Sequence, residues 1–176
     1  MARQGVILVT RLLGRTVLAG RAAGQADKHK LETAALAAVI DGRVAFDLGG
    51  VEALSSSYFD AAIWPLWKSH EVFPSLSNVP PVAVDDIKIV LAASGGAVWC
   101  TGPGKPQLLG ELDPSLATTL DRIVRVGELS ASDLLELDRR IGATAWSNRL
   151  ASLYELRLVR RRKDGRRLLY RPAWKE

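Results

Sequence analysis

Near the C-terminus two strand-like runs, LVRRRK over 158–163 and RRLLY over 166–170, are separated by Asp164-Gly165 alone. A two-residue Asp-Gly connection between such runs is a strong short-range signal for a β-hairpin closed by a type I′ turn. That register sets Lys163 opposite Arg166 and Arg162 opposite Arg167. Like charges directly across an antiparallel pair destabilise it, so a hairpin built this way is expected to meet an anion.

The charge distribution points the same way. The chain carries 24 Lys+Arg against 19 Asp+Glu, a net charge of +5. From Arg149 to the end there are 10 Lys+Arg and 3 acids, against 14 and 16 in the first 148 residues. The positive excess is therefore confined to the C-terminal tip, where a polyanion should bind. Leu168, Leu169, Tyr170 and Trp174 interleave with the cations, unlike a low-complexity tail that only solubilises.

Three helical segments precede the hairpin. In LDPSLATTLDRIV, Asp113 is placed to cap a helix and Pro114 to open it, with Leu116, Leu120, Ile123 and Val124 on one face. SASDLLELDRRI sets Asp133 three residues after Ser130, close to a capping box, then repeats Leu134, Leu137 and Ile141 and is ended by Gly142. TAWSNRLASLYEL restarts with Thr144 as cap. It turns Trp146, Leu150 and Leu153 inward and leaves Ala145, Ser147, Asn148, Arg149 and Ser152 outward.

Helix, helix, short turn, helix, basic hairpin: over about 112–170 this order resembles the winged helix-turn-helix family of bacterial regulators. ELSASDLLEL matches the helix before the turn, and TAWSNRLASLYELRLVRRR the recognition helix and first wing strand. RLASLYELRLVRRR is similar to the L-x-x-L-x-x-x-G-L-V-x-R phrase that closes recognition helices in that family. Arg157 stands where the phrase has Gly, at a position that normally ends the helix in a left-handed conformation, so this turn is expected to be strained or built differently. The resemblance implies binding of double-stranded DNA, with a recognition helix over 144–156 in the major groove and a wing over 158–171 on the backbone or in a minor groove. Arg149 is then suited to guanine, Asn148 to adenine, and Ser147 and Ser152 to phosphates. Arg160, Arg161, Arg162, Lys163, Arg166 and Arg167 are the wing cations. Such regulators bind two half-sites as dimers, and the helix from Pro114 to Val124 is the candidate contact of a homodimer.

From Gly5 to Leu109 strand-like and helical stretches alternate. GVILVT and RTVLAG, separated by Gly14, predict an opening hairpin. GQADKHKLETAALAAVI places Leu31, Ala35, Leu36 and Val39 at helical spacing. RVAFDL is read as a strand, SSSYFDAAIWPLWKSH as a helix with serine caps, PPVAV as a strand, DDIKIVLAAS as a helix capped by Asp85, AVWCT as a strand and PGK as a turn. The predicted fold class is α/β (α+β): a mixed sheet with packed helices over 1–110, then the helix-and-wing domain over 111–176.

AFDLGGVEALSSSYFDAAIWPLW resembles the STAS fold of anti-sigma-factor antagonists, whose motif runs strand, Asp-Leu, short loop, Asp-Ser-Ser/Thr-Gly, helix. It is closer still to bacterial STAS-like domains found near histidine-kinase-type ATPases, and LAGRAAGQA is similar to their S-R-x-x-A opening. The resemblance spans about 5–110. In antagonists the serine at the helix start is phosphorylated, and the added charge switches partner affinity. That position falls on Ser56, flanked by Ser55 and Ser57, with Ser55 in place of the usual Asp and Tyr58 in place of the usual Gly. A helix start accepts a phosphate well, and three serines there are also ordinary caps. The implied partner is a kinase-type ATPase or an assembly subunit.

No constellation of residues points to catalysis. His29 and His70 lack ligand spacing to another His or Cys, so neither a metal nor another cofactor is expected. Cys100 lies in an apolar run and reads as a small core residue. Asp85 and Asp86 are adjacent and would face apart on a helix, and TGPGKP lacks the G-x-x-x-x-G-K-[ST] spacing of a phosphate loop. One cysteine builds no disulfide framework within the chain and suggests a reducing compartment. No apolar run approaches the roughly 18 residues of a membrane span, and Arg11, Gly14 and Arg15 interrupt what would be a signal peptide. The expectation is a cytoplasmic bacterial DNA-binding protein, a transcription regulator, whose STAS-like domain docks a protein or senses a signal. The alternative is a partner-switching adaptor, or a subunit of a mobile-element or defence assembly, whose winged helix binds protein or RNA.

Overall fold

In the computed structural model, which describes residues 5–69 and 72–175, the first strand-like run does not turn back on itself. β1 (Gly5–Leu8) leads into a short helix α1 (Val9–Leu13), which Gly14 ends in the left-handed conformation at φ 70°, its N–H bonded to the Thr10 carbonyl. β1 pairs in parallel with β3 (Arg43–Asp47), and β2 (Val17–Leu18) in parallel with β4 (Ala53–Leu54). The expected opening hairpin is therefore replaced by a helical turn, because Gly14 supplies a helix C-cap rather than a strand reversal.

Helix α2 (Arg21–Ala38) follows, burying Gly24, Leu31 and Ala35 while Leu36, expected on the same face, is half exposed. α3 (Ser56–Ala62) and α4 (Leu66–Ser69) occupy the stretch read as one helix. Pro65 separates them, since its ring cannot continue the helix. β5 (Phe73–Ser77), α5 (Pro81–Ser94), β6 (Ala97–Thr101) and β7 (Gln107–Gly110) complete the first of two compact units, which divide at Glu111. His70 lies outside the described residues. PPVAV is not a strand: Pro81 opens α5, where a missing N–H has no consequence, and Asp85 lies inside the helix instead of capping it. β5 and β7 were not expected from the sequence.

The strand order is β1-β3-β5-β6-β7, parallel except for β7, which runs antiparallel to β6. This is the mixed sheet of an α/β fold. Alternation along β3 turns Val44, Phe46 and then Leu48 to one side, where they share a core with Leu31, Phe59 and Ile87 from the helices. Gly24 lets α2 approach α3 closely: a Cβ there would lie 2.9 Å from the Tyr58 carbonyl oxygen and from the Ala61 Cβ. One turn on, the buried Tyr58 hydroxyl donates to Asp27 Oδ2 at 2.7 Å, and Arg15 both pairs with Asp27 and lies over the Tyr58 ring. Burial first, and then the bond to Asp27, push the Tyr58 phenol far above its ordinary value. Tyr58→Phe removes that donor while Arg15 still serves Asp27. The expected loss is the lower part of the roughly 1–3 kcal/mol range for an unsatisfied buried group, read as a fall in the unit's melting temperature.

The second unit comprises α6 (Pro114–Val126), α7 (Ala131–Leu137), α8 (Ala143–Glu155), β8 (Val159–Asp164) and β9 (Arg167–Pro172). Asp113 caps α6, accepting from the Ser115 N–H at 2.8 Å. Ser130 and Asp133 cap α7 reciprocally: the Ser130 hydroxyl accepts from the Asp133 N–H at 3.2 Å, and Asp133 accepts from the Ser130 N–H at 2.7 Å. Gly142, not Thr144, is the N-cap of α8, and Leu137, expected inside, is 63 % exposed. Leu120, Ile123, Leu134, Trp146, Leu150 and Leu153 are buried. Between α6 and α7, Leu129 exchanges two backbone hydrogen bonds with Tyr170, at 2.9 and 2.8 Å, and so adds a short edge to β9.

The hairpin register differs by one step from the expected one. Asp164 pairs with Arg167, Lys163 with Leu168, Arg162 with Leu169 and Arg161 with Tyr170. Gly165 and Arg166 are the loop, and only Gly165 has positive φ, at 59°. A positive φ at the first loop position alone is the signature of a type II′ turn. An opposite-charge pair closes the strands, and the like-charge pairs of the expected register, Lys163 with Arg166 and Arg162 with Arg167, are gone; the observed register has one of its own, Arg160 against Arg171, at the far end of the hairpin. Cross-strand charge thus selects the turn.

Helix α8 ends in a Schellman motif: the Arg157 N–H bonds the Tyr154 carbonyl at 2.9 Å and the Leu158 N–H the Leu153 carbonyl at 3.0 Å. Arg157 adopts the left-handed φ of 60° that the motif requires. A side chain there costs about 1–2 kcal/mol, partly offset by stacking of its guanidinium 5.6 Å from the Tyr154 ring centroid. Arg157→Gly should therefore raise the unit's stability by about 1 kcal/mol, seen in thermal melts as a shift of a few degrees.

Candidate nucleic-acid interface

Residues 112–176 hold 14 Lys+Arg and 9 Asp+Glu, a net charge of +5, whereas residues 1–111 hold 10 of each. The entire net charge of the chain belongs to the second unit. Its cations are not equally available.

On α8, Ser147, Asn148 and Ser152 are exposed, as expected for a face that reads a groove. Arg149 is half-buried, its guanidinium 5.0 Å from the centroid of the fully buried Trp146 ring, on which Arg122 of α6 also stacks at 5.2 Å. The Trp146 indole N–H donates to the Asp138 carbonyl at 3.4 Å. The Asp138 carboxylate accepts from Arg140 Nε and Nη2, both at 3.0 Å, and from Arg122 at 3.4 Å. The Arg140 bonds hold the Asp138 carboxyl well below its ordinary value. Arg149 thus rests on an aromatic platform midway along α8.

On the hairpin, Arg160 is buried and donates to the Lys175 carbonyl, which removes it from the set of surface contacts. The expectation failed because β8 is covered on both faces where it begins, so that Val159 and Arg160 are both buried and exposure starts only at Arg161. Arg161 lies 4.1 Å from the Tyr154 ring centroid. Arg162 forks onto Glu128, Nε at 2.9 Å and Nη2 at 2.8 Å. Arg167 donates to the Ser130 hydroxyl at 2.8 Å and pairs with Asp133. Lys163 and Arg166 are exposed, and neither makes an ion pair among the described residues. Sequence reading missed Glu128, Asp133 and Tyr154 as arginine partners. The spacing of Arg157 three residues after Tyr154 was the one local hint.

The Arg162 bond holds the Glu128 carboxyl below its ordinary value. Burial pushes Asp133 up, but the Ser130 N–H and hydroxyl and Arg167 together outweigh it and leave Asp133 lowered too. A groove of about 320 Å³ opens between the start of α7, α8 and the hairpin, lined by Ser130, Ser132, Ser147, Arg166, Arg167 and Tyr170. Hydroxyls and guanidinium groups on one concave wall suit an anionic oxygen.

The serine segment of the first unit is organised differently. Ser55 is the N-cap of α3: its hydroxyl accepts from the Tyr58 N–H at 3.2 Å and the Gly20 N–H at 3.0 Å, and lies 3.2 Å from the Ser57 hydroxyl. The Ser56 N–H donates to Asp86 of α5 at 2.7 Å. The start of α3 therefore already carries a carboxylate, and all three serines are only partly exposed. Elsewhere in this unit burial raises the Cys100 thiol to about 11, so it is neutral at pH 7. His29 is exposed. Among the described residues no group of His, Cys, Asp and Glu could hold a metal ion, and no helix is long and apolar enough to cross a membrane.

No family model, curated protein or solved structure matches the chain.

Proposed function

We propose that the second unit is a winged helix that binds double-stranded DNA, and that the protein is a regulator whose first unit, a STAS-like domain, docks a protein partner. The observation that carries this reading is the concentration of the whole net positive charge in 112–176, with exposed Lys163 and Arg166 at the hairpin tip and exposed Ser147, Asn148 and Ser152 on α8. The element order supports it: α6, a short edge at Leu129, α7, α8 and the β8–β9 hairpin follow the winged-helix plan. In this reading α8 enters the major groove, where Asn148 suits adenine, and the hairpin tip follows the phosphates. Arg149 meets guanine only if it leaves Trp146.

For the first unit, the Asp86 carboxylate at the Ser56 N–H favours a constitutive docking surface over a phosphoswitch, because a phosphate on Ser56 would face that carboxylate. The deciding experiment is binding of the purified protein to a labelled fragment of its own upstream region, against scrambled duplex, across a salt series. Sequence-preferring binding supports a regulator, and steep salt dependence without preference supports an assembly role. Absence of binding to any duplex at low salt would remove the DNA reading altogether.

A further inference from the structure

Two exposed arginines of the hairpin are held by carboxylates from one short segment. Glu128 forks Arg162, and five residues on Asp133 takes Arg167. The Leu129–Tyr170 bridge fastens that segment to β9, so both acids are delivered by the backbone and not by chance side-chain encounters. Glu128 accepts at 2.8 and 2.9 Å in the two-bond geometry with which a guanidinium also grips a phosphate. Resting on the DNA reading above, we propose that Glu128 and Asp133 form a carboxylate latch. They stand in for phosphate on Arg162 and Arg167, so that a polyanion engages these arginines only by displacing them.

The side chains in the latch are partly open to water, the arginines at 49 % and 51 % and the acids at 29 % and 33 %. Pairs so exposed are weak, and a phosphate aligned with the hairpin can compete. The latch leaves Lys163 and Arg166 to make unselective contacts, and holds the other two cations back from backbones that do not present phosphates in register. Ordinary stabilising ion pairs would have no such consequence, and the two roles separate experimentally.

The test uses the full chain and two probes, a short DNA duplex in a salt series and a heparin column. Glu128→Gln keeps the shape of the side chain and removes its charge. Glu136→Gln, at an exposed position of α7, removes the same charge without touching an arginine of the hairpin. Glu128→Gln should tighten duplex binding roughly two- to fivefold over Glu136→Gln, the range a surface pair can hold back. It should also steepen the slope of log K against log salt by about 0.9. Adding Arg162→Ala should cancel the gain in that background, yet leave the slope of the otherwise unchanged protein nearly as it was.

Equal behaviour of the two glutamine variants on both probes overturns the latch, as does an equal effect of Arg162→Ala in both backgrounds. If no variant binds duplex but Glu128→Gln elutes from heparin at higher salt than Glu136→Gln, the latch stands and the DNA reading falls. If duplex binding weakens on loss of Lys163 and Arg166 while the glutamine variants coincide, the DNA reading stands and the latch falls. Failure of every variant on both probes sinks both.

Discussion

Alanine at both Lys163 and Arg166 should reduce duplex affinity roughly sixtyfold at 0.1 M salt and flatten the log–log salt slope by about 1.8, the counterion-release contribution of two phosphate contacts. Both residues are exposed and make no ion pair among the described residues, whereas Arg161, also exposed, stacks on the Tyr154 ring. The companion is Arg160→Ala. Arg160 is buried and bonded to the Lys175 carbonyl, so its loss should lower the melting temperature and leave the slope unchanged. Fluorescence anisotropy across the salt series reads the slopes, and calorimetry the stability. Equal slope changes for the two variants would mean that the hairpin presents a different face to DNA. An unchanged slope for the double variant would move the contact surface away from the hairpin tip.

Trp146→Ala should be the most destructive single change in the second unit. The ring is fully buried, carries Arg122 and Arg149 on its faces, and bonds the Asp138 carbonyl. Removing such a side chain costs about 3–5 kcal/mol, against roughly 3–10 kcal/mol expected for a folded unit of this size. Arg122 and Arg149 would also lose their platform and Asp138 would lose a neighbour that orders its loop. Hydrogen exchange should show amides across α6, α7 and α8 exposed together, while β3 and β5 of the first unit keep their protection. Trp146→Phe, which retains an aromatic face without the N–H, should recover most of that protection. Local loosening confined to α8 would show that the ring holds one helix and not the unit.

The chain contains the Asp-Gly pair twice, and the two copies explain how far a sequence can be read. Asp41-Gly42 forms the type I′ turn that the dipeptide favours, with φ of 50° and 75° and two bonds between Ile40 and Arg43. Asp164-Gly165 does not, because its neighbours carry charge and the alternative register pairs Asp164 with Arg167. Local chemistry proposed the turn, and the charges across it decided the register. The caps of α6 and α7 were legible because Asp113-Pro114 and Ser130 with Asp133 act within one helical turn. β5 was not legible because Pro74 argues against a strand with neighbours on both sides, although the β5–β6 ladder involves only Leu76 and Ser77, beyond the proline. In the candidate site, the exposed positions of α8 followed from helical spacing. The partners of Arg162 and Arg167 did not, since Glu128 and Asp133 reach them through the Leu129–Tyr170 bridge, which no periodicity announces.

That bridge joins a segment lying before two helices to a strand lying after them, so it closes only once α7 and α8 have folded between its ends. Its two hydrogen bonds, at 2.9 and 2.8 Å, also position Glu128 on one side and Ser130 with Asp133 on the other. If Glu128 and Asp133 do hold Arg162 and Arg167 back, loss of this one bridge would loosen both pairs at once, and the arginines would become available while the charge of the unit stays the same.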